Sequence, residues 1–293
     1  MNNSGPGPAV GLNGSVPSSD LLAQSARLPD GRLIGYAEFG DRAGVPFLFF
    51  HGEPGSRLSG DLLASHARAC GVRLIAPDRP GFGLSTFQPG RTRAHWAADV
   101  EHLADMLDLD RFGVIGWSAG GPYALACGAA ISHRVRVVGV LAGVGRLGNF
   151  DPAMVKGLLR IRPGGNLDDL PEVMARAWTR TRAAAGSWVE AAQESAGTIA
   201  AGMREAMRDG PAGVLHELRL LARSWEFDPT TIAGVPVRFW HGKADAVVPA
   251  RHTRRLAAQL PGSQATFYPA AGHVSLLTVH GREILQELLR ASA

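Results

Sequence analysis

Ser118 stands in the run Gly116-Trp117-Ser118-Ala119-Gly120-Gly121, which follows the apolar stretch Phe112–Ile115 and opens a small-residue segment. A serine hydroxyl is a poor nucleophile unless it is held exposed beside a base, and a sharp strand-to-helix turn does the holding. Side chains at Gly116 and Gly120 would clash where strand and helix approach. The same turn aims the Ala119 amide and the positive end of the helix at whatever the serine attacks. Ordinary Gly-rich turns also contain this five-residue pattern; its place between a buried strand and a helix makes Ser118 a candidate nucleophile.

The surrounding chain supplies such elements. Val45–Phe50, Val72–Ala76, Phe112–Ile115, Val135–Leu141 and Val235–Trp240 are short apolar runs without strict alternation, as expected of strands buried on both faces. Segments of helical period separate them: Arg57–Ala69, Thr92–Leu107, Ala119–Ala130, Arg251–Gln259 and Gly281–Leu289. Strands alternating with helices predict an α/β fold, a mostly parallel sheet covered on both faces. It is entered through a hairpin, Ala26–Leu28 with Arg32–Phe39 around Pro29-Asp30-Gly31. Reactive residues are then expected at the carboxyl ends of the strands. Phe150–Trp225 breaks the alternation: it reads as several helices interrupted at Pro163-Gly164-Gly165 and Gly210-Pro211, an insertion folding over the sheet.

Composition narrows the classes. With 293 residues and 45% hydrophobic content the chain can bury a sizeable core. The net charge is +4, but Lys156 and Lys243 are the only lysines and the arginines are scattered, which argues against nucleic acid as a partner. Cys70 and Cys127 sit in apolar contexts that suit neither a disulfide nor a metal site. The Gly-, Pro- and Ser-rich start does not have the pattern of a secretory signal, and no window approaches the roughly 18 apolar residues of a membrane span. A cytoplasmic protein without a membrane partner is expected. No motif for a nucleotide, flavin or metal stands in a suitable context, so no cofactor is expected.

Four further segments complete a pattern: His51-Gly52-Glu53-Pro54-Gly55, Asp78-Arg79-Pro80-Gly81-Phe82-Gly83-Leu84-Ser85, His241-Gly242-Lys243-Ala244-Asp245, and Ala270-Ala271-Gly272-His273. With the serine turn they resemble the α/β-hydrolase family, from about Arg27 to the C-terminus. The resemblance implies an α/β-hydrolase core over 23–148 and 227–293, a helical cap over 149–226, and a flexible tail over 1–22. It also implies a triad in the order Ser, acid, His. Asp245 is similar to the family's acid and His273 to its histidine. The alternative acid position of some relatives reads Ala142-Gly143-Val144-Gly145 here and holds no carboxylate. His273 would take the proton of Ser118 and Asp245 would fix the tautomer. The amides of Glu53 and Ala119 would form the oxyanion hole, with His51 bracing the loop and Asp78–Ser85 structural.

Glu53 departs from the small or neutral residue expected in that loop. A carboxylate facing an oxyanion is unfavourable, so its side chain should face solvent or pair with Arg57 or Arg79. The sharper alternative is contact with a polar or cationic part of the substrate. Trp117, Trp178 and Trp188 are candidate substrate contacts. With Trp225, Met154, Met174, Met203 and Met207, the last two of these tryptophans could line an apolar pocket, but each by itself is read first as part of the cap's own core or of its contact with the sheet. Arg160, Arg162, Arg180 and Arg182 fit an anionic substrate or a solvated helix face.

A serine nucleophile argues against the epoxide hydrolases and haloalkane dehalogenases of this fold, and Val274 after His273 against its hydroxynitrile lyases. Hydrolysis of a small-molecule carboxylic ester is the first expectation. Amide or aminopeptide cleavage, thioester hydrolysis or cyclisation, carbon–carbon hydrolysis and perhydrolysis share the site. A ligand-binding receptor with a vestigial triad is the reading from another class. Oligomeric state is left open.

Overall fold

The computed structural model describes residues 19–145, 195–221 and 223–293. Eight strands form one sheet: β1 Gln24–Arg27, β2 Leu33–Gly40, β3 Val45–Phe50, β4 Val72–Pro77, β5 Phe112–Trp117, β6 Val135–Leu141, β7 Val237–Gly242 and β8 Gln264–Tyr268. Their order is β1-β2-β4-β3-β5-β6-β7-β8. β2 pairs antiparallel with β1 and β4, and every other neighbour is parallel. The described helices are α1 Ser19–Leu22, α2 Ala64–Ala69, α3 Arg93–Met106, α4 Gly121–Ala130, α5 Ala196–Ala206, α6 Ala212–Leu221, α7 Arg251–Gln259 and α8 Ser275–Ser292.

The pleat explains the apolar runs. Along β3, Phe47 and Phe49 join the core on one face of the sheet, while Leu48 and Phe50 join the core on the other. The first core takes Leu276, Leu277, Ile284, Leu285 and Leu288 of α8. The second takes Trp96, Val100 and Leu103 of α3, Tyr123 and Leu125 of α4, and Leu256 of α7. With both faces covered, the inner strands have no polar side to show.

Local departures from expectation have physical causes. The helix expected over Arg57–Ala69 opens as a 3-10 stretch, Arg57–Leu63, capped by Ser56, where Gly60 packs directly against the Phe39 ring. The last helix starts six residues earlier than its period suggests, because Leu276 and Leu277 continue the apolar face of Ile284, Leu285 and Leu288. Within the expected tail, Ser19–Leu22 forms a helical turn whose Leu22 packs on the core and whose carbonyl accepts from Arg57 Nε at 2.7 Å. Residues 1–18 and most of the expected cap lie outside the described residues. α5 and α6 stand between β6 and β7 in the chain, separated at Gly210-Pro211. No helix among the described residues is long and apolar enough to cross a membrane.

Candidate active site

β5 ends at Trp117, and the chain turns so sharply into α4 that Ser118 takes a left-handed backbone, φ 56°. That region disfavours any residue with a Cβ, by about 1–3 kcal/mol. The turn closes only because Gly116 and Gly120 lack side chains: a Cβ on Gly116 would strike Gly120 O, and one on Gly120 would strike Phe50 O. A Cβ on Gly52 would stand 3.2 Å from Ser118 Cβ, which places the His51–Gly55 loop directly against the serine.

β5, β6, β7 and β8 run parallel, so the loops after β7 and β8 emerge at the same edge as Ser118. The first carries Asp245 and the second His273. Asp245 divides its two oxygens: Oδ1 accepts from the amides of Val247 and Val248, each at 2.8 Å, and Oδ2 from His273 Nδ1 at 2.7 Å. Burial alone would raise this carboxyl's pKa, but His273 and His241 outweigh it and hold the group well below the usual carboxylate range. His241 Nε2 lies 3.4 Å from the same Oδ2 and 2.7 Å from Val248 O, with Thr253 Oγ1 2.8 Å from Nδ1. The Val248 carbonyl only accepts, so the proton of His241 sits on Nε2.

Trp117, expected at the substrate, is 2% exposed. Its ring centroid is 5.2 Å from that of His273, and its indole N–H donates to His273 O at 3.2 Å. It braces the histidine loop from within the core. Trp178 and Trp188 lie outside the described residues, as do Met154, Met174, Arg160, Arg162, Arg180 and Arg182. Met203 is buried in the sheet core, and Trp225 stacks on Phe227 with centroids 5.3 Å apart.

The loop at Gly52 is held by buried polar groups. His51 Nε2 accepts from the Arg79 amide at 3.3 Å, which leaves its proton on Nδ1 to donate to Gly52 O at 2.8 Å. Burial and the Arg79 charge push the His51 pKa well below its ordinary value, as suits a neutral brace. Glu53 does not face solvent: it is 4% exposed and pairs with Arg79 Nη2 at 3.0 Å, while Arg57 pairs with Asp78 and Glu205 instead. Burial pushes the Glu53 carboxyl up despite that arginine. Burial also pushes Asp78 up to about 6, against the pull of Arg57.

Sequence reasoning missed Glu217, Arg91 and Tyr123, which extend this network. Glu217 Oε2 accepts from Tyr123 Oη at 2.7 Å and Arg91 Nη2 at 2.8 Å, and lies 3.6 Å from Arg79 Nε. Burial works against the charged carboxylate of Glu217, but Arg79, Arg91 and Arg93 prevail and bring its pKa to about 2. A signal was present: Gly213, Glu217, Leu220 and Leu221 form the buried stripe of α6, and a glutamate within such a stripe needs a buried partner. Among the described residues no group of three or more His, Cys, Asp or Glu is placed to hold a metal ion. Cys70 and Cys127 are free thiols.

Comparison with known proteins bears on the fold and the family. The α/β hydrolase fold profile matches residues 45–278. A non-heme chloroperoxidase of Streptomyces lividans is 42% identical over 94 residues, 31% of this chain and 34% of that protein, so the chain spans about a third of that relative's length. A 2-hydroxy-6-oxo-6-phenylhexa-2,4-dienoate hydrolase of Burkholderia cepacia is 25% identical over 222 residues, 70% of this chain and 72% of its own. Among solved structures, an esterase of Rhodococcus sp. ECU1013 shares the fold with a TM-score of 0.72 at 22% identity, covering 92% of this chain and 98% of that one. With a serine turn, a carboxylate–histidine pair and a glycine loop on one edge of a parallel sheet, and a profile match across most of its length, this chain belongs to the α/β-hydrolase fold family.

Proposed function

We propose that the chain is a serine hydrolase acting on a small-molecule carboxylic ester through an acyl-enzyme. Ser118 Oγ attacks the carbonyl carbon, His273 Nε2 takes the hydroxyl proton, and the proton then passes to the departing alcohol. Asp245 holds the imidazole with its proton on Nδ1 and stabilises the imidazolium. The amides of Glu53 and Ala119 receive the oxyanion, and water activated by the same histidine releases the acid. The observation that carries this reading is the 2.7 Å bond between Asp245 and His273 on the sheet edge that bears the serine turn.

Mass spectrometry of the intact protein after treatment with a fluorophosphonate, beside Ser118→Ala, tests the nucleophile. A single phosphonyl adduct lost in the variant is the expected result, followed by turnover of short p-nitrophenyl esters. An unlabelled wild type with its fold intact would refute the mechanism and favour a ligand-binding protein. The match to the Burkholderia cepacia hydrolase along most of both chains favours a second reading, carbon–carbon hydrolysis of a vinylogous diketone by the same residues. Faster turnover of such a dienoate than of any ester would select it.

A further inference from the structure

The Gly52–Glu53 peptide is trans, so its carbonyl and its amide N–H point in opposite directions. Whatever holds Gly52 O therefore aims the Glu53 N–H. That oxygen accepts from His51 Nδ1 at 2.8 Å and from Arg79 Nη2 at 3.2 Å. The same guanidinium donates through Nη1 to His51 O and through Nη2 to Glu53 Oε2, so one buried side chain grips three consecutive residues of the loop.

Arg79 is itself held from the far side. Its guanidinium carbon lies 4.9 Å from the Tyr123 ring centroid and 5.1 Å from that of Phe82, and its Nε faces Glu217 Oε2 at 3.6 Å. Glu217 is fully buried, and Tyr123 and Arg91 fix the same oxygen from two other directions, while Oε1 makes no hydrogen bond. Toward Arg79 itself, the charge that α6 presents is this one carboxylate oxygen, while His216 of the same helix holds the Arg91 carbonyl at 2.9 Å. Without that anion Arg79 would keep only Glu53 as counter-charge, and the guanidinium would be drawn toward it and away from Gly52 O.

We propose that Glu217 is a positioning residue for the oxyanion donor: its carboxylate seats the Arg79 guanidinium against Gly52 O, and that contact turns the Glu53 N–H toward the serine. The inference rests on the serine-hydrolase reading. It also makes α6, which belongs to the segment between β6 and β7, a part of the chemistry rather than only of its enclosure.

The test uses the full chain with Glu217→Gln and, as a second approach to the same contact, Arg79→Lys. Active sites are counted by the fluorophosphonate end-point. Turnover per counted site and KM are measured on p-nitrophenyl acetate, and Ki on a trifluoromethyl ketone, whose adduct with serine carries an oxyanion. Outright loss of one oxyanion donor lowers kcat by about 10²–10³, so a misdirected donor should lower turnover per site about ten- to a hundredfold. KM should stay within about twofold, Ki should rise in step with the loss of kcat, and the pH profile should keep its midpoint. A merely structural role would lower the number of active sites and leave turnover per site and Ki unchanged, which would overturn the proposal. So would failure of both variants to fold, since the cluster would then be a requirement of the fold. A wild type that neither labels nor turns over esters would overturn the hydrolase reading and this inference together.

Discussion

Replacing Asp245 by asparagine tests the site at the atom where the structure makes its firmest commitment. Oδ1 accepts from two backbone amides, at Val247 and Val248, so the amide oxygen of an asparagine must take that place. The reverse orientation would set an NH₂ against two N–H donors and lose two buried bonds of about 1 kcal/mol or more each. The asparagine NH₂ then occupies the position of Oδ2, 2.7 Å from His273 Nδ1. An NH₂ only donates, so Nδ1 must become the acceptor and the imidazole proton must move to Nε2. A histidine protonated on Nε2 has no lone pair there for the Ser118 proton. The corresponding exchange in a serine triad lowers kcat by about 10⁴, equivalent to about 5.5 kcal/mol of barrier. The assay is kcat for p-nitrophenyl acetate at pH 8, with circular dichroism to establish that the fold persists. A folded variant that loses less than about tenfold would refute the tautomer argument, and with it the role given to Asp245.

Trp117→Phe keeps the ring beside His273 but removes the bond to His273 O, so thermal melts should show a loss of about 1 kcal/mol; a loss above about 3 kcal/mol would mean that the indole supports more than that loop. Glu53→Gln should leave the preference between a neutral ester and a choline ester within about threefold, because the carboxyl is engaged by Arg79 and buried. A tenfold shift in that ratio would restore the substrate-contact reading. Two groups should each cost the fold stability in acid, against the opposing contribution of Asp78, whose raised pKa favours the folded state as pH falls below about 6. His252 has its pKa lowered from 6.5 to about 4 by burial and by Arg251, so the unfolded chain takes up the extra proton and stability falls as pH drops through that window. Glu217, lowered from 4.5 to about 2, adds a further loss below pH 4.5. Urea midpoints measured from pH 7 to 3 should decline less steeply between 6.5 and 4 in His252→Asn than in the wild type; equal slopes would show that His252 does not contribute.

Much of the scaffold was legible because it is made of short-range signals. β3, β6 and α7 begin and end where the apolar runs and the helical period place them, since strands covered on both faces are nearly all apolar, Arg136 near the start of β6 being the exception. β7 shifted by two residues, to Val237–Gly242, because pairing with β8 carries it through the polar His241. At the candidate site, the residues carried by motifs stand on one sheet edge. What escaped depends on contacts distant in sequence: Glu217 meets Arg91 across 126 positions, and no spacing rule links them. The burial of Trp117 has another reason. Ile115 and Trp117 lie two apart on a buried strand and share a face, so the indole had to enter the core with the isoleucine.

The left-handed backbone at Ser118 sets stability and activity against each other. Glycine at this position would remove a penalty of about 1–2 kcal/mol, and the freer unfolded chain would return only about 0.4–1 kcal/mol of that gain. Ser118→Gly should therefore unfold at the same or a slightly higher urea concentration than the wild type while losing the hydroxyl, and a clear drop in its midpoint would show that the turn is unstrained. Selection for foldability alone would drift toward glycine here, so a side chain at this φ is what a used hydroxyl would require.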